Sequence, residues 1–102
     1  MNQFQKIDPS KEKIPPEVIL QEVEKICTSS EFASKDRSCQ LLRYLIDETL
    51  NNRGDQLKQY NIGRAVFGRD ENFNPDMDPM VRIQAGRLRR SLEIYYLTEG
   101  KN

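Results

Sequence analysis

Leu41, Leu42, Leu45, Ile46 and Leu50 recur at the three-and-four spacing that lays apolar side chains along one face of an α-helix. On a strand the same residues would fall on both faces, so this run decides the local structure before the rest of the chain is considered. It is the most hydrophobic stripe in the sequence and marks a central core helix. Ser34 or Asp36 is placed to cap its start. Asn51-Asn52-Arg53-Gly54 should stop it, Gly54 supplying the left-handed conformation needed just past a helix end. A first helix is expected over about 16–29, opened by Pro15-Pro16 and Glu17, with Ile19, Leu20, Val23, Ile26 and Cys27 on its apolar side. A shorter third helix, about Lys58 to Phe67, should bury Ile62, Ala65 and Val66 and close at Gly68. Asp78 as N-cap and Pro79 in the first turn introduce the fourth and longest helix, which ends near Thr98-Glu99-Gly100. Its ~19 residues would reach roughly 28 Å. With no strand-period run, repeat or low-complexity tract, the fold expected is all-α, four helices in residues 16–102 after a mobile tail, 1–15. Leu42, Leu45, Ile46, Val66, Leu88 and Leu92 are expected to form the core.

A chain of 102 residues is one domain. Hydrophobic residues make up 36% and charged residues 31%, against about 45–50% apolar in an average soluble domain, so the core must be small and the surface richly ionised. No stretch approaches the ~18–20 apolar residues of a membrane span, and MNQFQKIDPSKEK lacks the apolar centre of a signal peptide. A cytoplasmic protein with no membrane partner is expected. There is no histidine, and Cys27 and Cys39 have neither CxxC nor zinc spacing, which disfavours most enzyme classes. No cofactor or metal is expected. Asp70, Asn72, Asn74, Asp76 and Asp78 alternate as in a calcium loop, but Pro75 stands where that loop needs glycine and Val81 where it needs a bidentate glutamate. Both cysteines, and Tyr44, Tyr60, Tyr95 and Tyr96, read first as packing groups.

The net charge is formally zero, which argues against a nucleic-acid partner until the distribution is considered. Residues 1–50 carry seven Lys/Arg against nine Asp/Glu, whereas 79–97 hold four arginines and one acid, Glu93. At about 100° per residue, Val81, Ala85, Leu88, Leu92 and Tyr95 gather on the core side of this helix, with Tyr96 at its edge. Arg82, Ile83, Gly86, Arg87, Arg89, Arg90, Glu93 and Ile94 take the other side and flanks. Arginine's planar fork of donors suits two phosphate oxygens or the O6 and N7 of guanine. Ile83 and Ile94 leave three roles open: a thymine-methyl contact, support for a further structural element, or a dimer interface.

Val66-Phe67-Gly68, a loop, and VRIQAGRLRRSLEIYY together resemble the winged-helix effector domain of OmpR/PhoB-type response regulators. Closer is the N-terminal winged-helix-like domain of bacterial adenylate-cyclase-like and tetratricopeptide-containing regulators, which the chain resembles through Ser30-Glu31-Phe32-Ala33, Leu41-Leu42-Arg43-Tyr44-Leu45, Leu57-Lys58-Gln59-Tyr60, Val66-Phe67-Gly68-Arg69 and Asp78-Pro79. The resemblance implies a helix-turn-helix-like fold and a non-enzymatic DNA-binding module of a transcriptional or signalling regulator. Double-stranded DNA would be the partner. By this resemblance Arg87 and Arg89 approach DNA, Arg82 and Gln84 stand near base edges, and Arg90 adds to the same basic surface; Leu88 and Leu92 are core. The response-regulator resemblance implies a contact with RNA polymerase through the 69–76 loop, the other reading being a plain connecting loop. Two departures are visible: Gly86 stands where a basic residue is common, and the chain ends at Asn102 before a β-hairpin wing, which should lower affinity. The alternative is a protein-interaction or dimerisation module, such as a homodimer, that uses the same helix.

Overall fold

A computed structural model describes residues 14–100, and these form four α-helices, with one 3-10 turn and no strand among the described residues. Of the expected tail, only Ile14 and Pro15 lie within that range, and both are exposed. Helix α1 spans Pro16–Cys27, α2 Asp36–Leu50, α3 Gln59–Phe67 and α4 Met80–Thr98; the 3-10 turn, Gly54–Leu57, joins α2 to α3. The central helix of the sequence reading is α2, which packs on α1, α3, α4 and the 3-10 turn.

In α1 the first-turn proline and Glu17 fall where the positive end of the helix dipole favours them. Val23 and Ile26 are buried, while Leu20, expected on the apolar stripe, is exposed. The helix ends at Cys27, two residues short of the expected bound, and its C-cap Thr28 donates from both N–H and Oγ1 to the Glu24 carbonyl (3.0 and 2.8 Å). The linking segment turns tightly and drives Phe32 into the core at 1% exposure. Neither Ser34 nor Asp36 caps α2: the N-cap is Lys35, and no side chain bonds to the first-turn amides. At the other end the left-handed residue is Asn52 (φ 59°), not Gly54. Asn tolerates that conformation because its short amide interacts locally. Arg53 follows, its N–H donating to the Glu48 carbonyl (2.9 Å) and its Nε to the buried Glu48 carboxylate (2.8 Å).

Helix α3 closes at Gly68, which has the positive φ (66°) expected of it. Its buried positions are Ile62 and Gly63; Ala65, expected inside, points to solvent. A ring explains the difference. Phe73, from the loop after α3, lies against Gly63 so closely that a Cβ there would stand 2.3 Å from the Phe73 ring. The loop itself is held by side-chain oxygens: Asp70, Asn74 and Asp78 each accept a hydrogen bond from the amide two residues on, at 2.9–3.0 Å. Three of the five oxygens of the calcium-like pattern are thus used on the loop's own backbone. Among the described residues no group of three or more His, Cys, Asp or Glu is placed to hold a metal ion. Asp78 delivers its bond to Met80, as a capping residue does, although α4 starts formally after Pro79.

The core joins Val23, Ile26, Phe32, Leu41, Leu42 and Ile62 to Phe73, Val81, Leu88 and Tyr95. Of the six expected core residues, Leu42 and Leu88 are buried. Leu45, Ile46, Val66 and Leu92 are half-buried against that core, because so short a chain leaves most apolar side chains near its surface. No described helix is long and apolar enough to cross a membrane.

Candidate nucleic-acid interface

Because Val81, Leu88 and Tyr95 anchor one face of α4 against the core, the opposite face is fixed outward. Arg82, Arg87, Arg89 and Arg90 are all exposed on it or its flanks. None forms an ion pair with a described residue. Arg82 is the restrained member, its Nη1 donating to the Pro75 carbonyl at 2.6 Å. That bond neutralises no charge, so it steadies the arm and leaves the cation available. Ile83, Ile94 and Leu97 share the exposed side of this helix, which gives it an apolar as well as a basic character.

Gln84 does not belong to this face. It is 6% exposed and turned toward α2, because four residues before Leu88 is the same side of the helix as Leu88. Its side chain lines the cleft beside α2 and does not share the outer face with the arginines. Ser91 is buried one turn before Tyr95 for the same reason. These two residues, with Ser38 of α2, make a polar seam that the apolar-stripe reading passed over. Gln84 and Ser91 bring α4 up to the open N-terminus of α2, and Arg87 and Arg90 rim the cleft so formed.

The end of α4 is tied to the rest of the molecule on two sides. Tyr96 donates from its hydroxyl to Glu22 of α1 (2.9 Å), and partial burial together with that bond pushes the phenol up to about 12. The Glu99 carboxylate accepts the N–H groups of Ser30 (3.1 Å) and Glu31 (3.0 Å), which hold its pKa below the ordinary value. Both ties fix the rotation of α4 about its axis, and so which arginines face out. Of the tyrosines expected to close the core, Tyr95 is buried and Tyr44 half-buried, its hydroxyl donating to the Gln56 carbonyl. Tyr60 and Tyr96 are exposed.

Comparison with protein-family models, with curated proteins and with solved structures gave no match for this chain.

Proposed function

We propose that this chain is a DNA-binding module of a bacterial regulator, helix-turn-helix-like and related to winged-helix domains, in which α4 enters the major groove and α3 braces the phosphate backbone. The observation that carries the reading is the outer face of α4: Arg87, Arg89 and Arg90 exposed and unpaired among the described residues, with Glu93 the only acid on the helix. A 19-residue helix held by its inner face is stiff enough to present those guanidiniums together. The helix before it, α3, packs directly on it. Arg82, Arg87, Arg89 and Arg90 are the contact residues in this reading.

Each phosphate neutralised contributes about −0.9 to the slope of log affinity against log salt. Replacing Arg87 and Arg89 together by Ala should therefore flatten that slope by up to roughly two units, measured by fluorescence anisotropy on a generic duplex. Binding in the non-specific range of about 10⁻⁴–10⁻⁶ M is expected for the chain as it stands. Absence of salt-dependent binding would remove the reading.

The exposure of Ile83, Ile94 and Leu97 on the same helix favours one second reading, an interaction or dimerisation module. That reading expects a dimer in sedimentation that a charged substitution at Ile83 or Ile94 dissociates.

A further inference from the structure

The N-terminus of α2 and the flank of α4 enclose an open cleft of about 600 Å³ whose lining is mostly cationic and polar. On the α2 side the amides of Asp36, Arg37 and Ser38 have no acceptor among the described residues, since the first turn of a helix has no internal partner and no side chain caps this one. Two buried side chains supply the independent observation. Ser38 (5% exposed) and Gln84 (6% exposed) both line the cleft, and neither side chain makes a hydrogen bond with a described residue. Gln59 Oε1 and Arg69 Nε are the described side-chain atoms that are both buried and without a hydrogen-bond partner, so the small exposed part of Ser38 and Gln84 holds their polar atoms, and their free valences open onto the cleft beside the amides.

The charge around that space has one sign. Arg37, Arg87 and Arg90 line it without an ion pair among the described residues, against the single carboxylate of Asp36. Lys35 is already engaged: its Nζ pairs with Glu31 (2.6 Å) and donates to Ser91 Oγ (2.9 Å), a bond that joins α2 to α4 across the cleft. The helix dipole adds partial positive charge at the same end. Backbone amides, a hydroxyl, a carboxamide and guanidiniums around one opening are the donors that a tetrahedral oxyanion accepts from, and against them the lining offers a cation one carboxylate, Asp36.

We propose that this cleft binds one phosphate group, received by the α2 amides and Ser38 at its inner end, with Gln84, Arg37 and Arg90 around it. The shared chemistry has two sources: a phosphodiester of a nucleic-acid backbone lying along α4, or a free phosphate or phosphomonoester. The site stands whether or not the outer face of α4 binds DNA.

Heteronuclear amide NMR separates these cases. The protein is titrated at constant ionic strength with inorganic phosphate, with chloride as control, and separately with a generic duplex. Saturable shifts of the Asp36, Arg37 and Ser38 amides with phosphate, and not with chloride, are the expected result. Arg37→Gln, an exposed change that leaves the core untouched, should weaken this binding about tenfold, the loss of one hydrogen bond to a charged group. A folded Ser38→Ala, Gln84→Met double variant should weaken it further. If the duplex moves the same amides, the group is a backbone phosphodiester; if only inorganic phosphate does, it is a free phosphate. Shifts confined to the outer residues of α4 on adding duplex, with the α2 amides still in both titrations, would overturn the cleft and leave the DNA reading standing. Equal phosphate affinity in the wild type, Arg37→Gln and the double variant would also overturn it.

Discussion

Gly63 and Gly86 both lie inside helices, yet alanine should act on them in opposite senses. Each replacement removes the excess backbone freedom of glycine and gains about 1 kcal/mol of helix propensity. At Gly86 a Cβ meets nothing within 4 Å, so the gain stands alone. At Gly63 the new Cβ would lie 2.3, 2.7 and 2.9 Å from three atoms of the Phe73 ring. The ring is 8% exposed, and the Phe73 N–H donates to the Asp70 carbonyl, so it yields only by lifting its loop. Forcing a methyl into such a site costs typically about 1–3 kcal/mol. Because the propensity gain is common to both variants, their difference isolates the packing cost, about 1–3 kcal/mol in favour of Gly86→Ala. At the roughly 4 °C per kcal/mol of a domain this size, thermal unfolding by circular dichroism should separate the two by at least about 4 °C. Coincident melting curves, or Gly63→Ala the more stable, would show that Phe73 does not occupy the space above α3.

Two further expectations concern titrating groups. Hydrogen bonds from Ser30 and then Glu31 lower the pKa of Glu99; a carboxylate depressed in the folded state adds stability above its unfolded pKa and loses it as pH falls through the folded one. Glu99→Gln should therefore melt below the wild type at neutral pH and match it in acid, and an equal deficit at both pH values would refute the clasp. Cys39 is pushed to about 12 from an ordinary 9.0, first by burial and then by its hydrogen bond with Cys27. Its thiolate fraction at pH 8 is then far smaller than in the unfolded chain, so alkylation monitored by mass spectrometry should be slow until denaturant is added.

The helices were legible because each carries its own apolar period, and α4 was read to its full length from Asp78-Pro79 onward. Phe32 and Phe73 were not, for a physical reason: both reach the core from irregular segments, where no periodicity marks an inward position. The stop of α2 at Asn51 was legible, but not its left-handed residue, since Asn52 and Gly54 are both able to take that turn and the choice between them depends on where Arg53 finds Glu48. The helical wheel turns the α4 arginines outward and sets Gln84 beside Leu88, whereas the placing of Gln84 near base edges comes from the family resemblance and not from the wheel. Ser38, Gln84 and Ser91 show the limit of sorting residues by hydropathy, because the seam they form depends on two helices meeting 46 positions apart, from Ser38 to Gln84.

The clasp between Glu99 and the Ser30–Glu31 amides spans 69 positions. On a ribosome adding about 5–20 residues per second, the turn that orients α2 is made roughly 3–14 s before the carboxylate that holds it. During that interval the amides of Ser30 and Glu31 have water as their partner, and α2 has no α4 over its inner face. The domain is therefore closed from its last helix backward: the first connection to be synthesised is the last to be fastened.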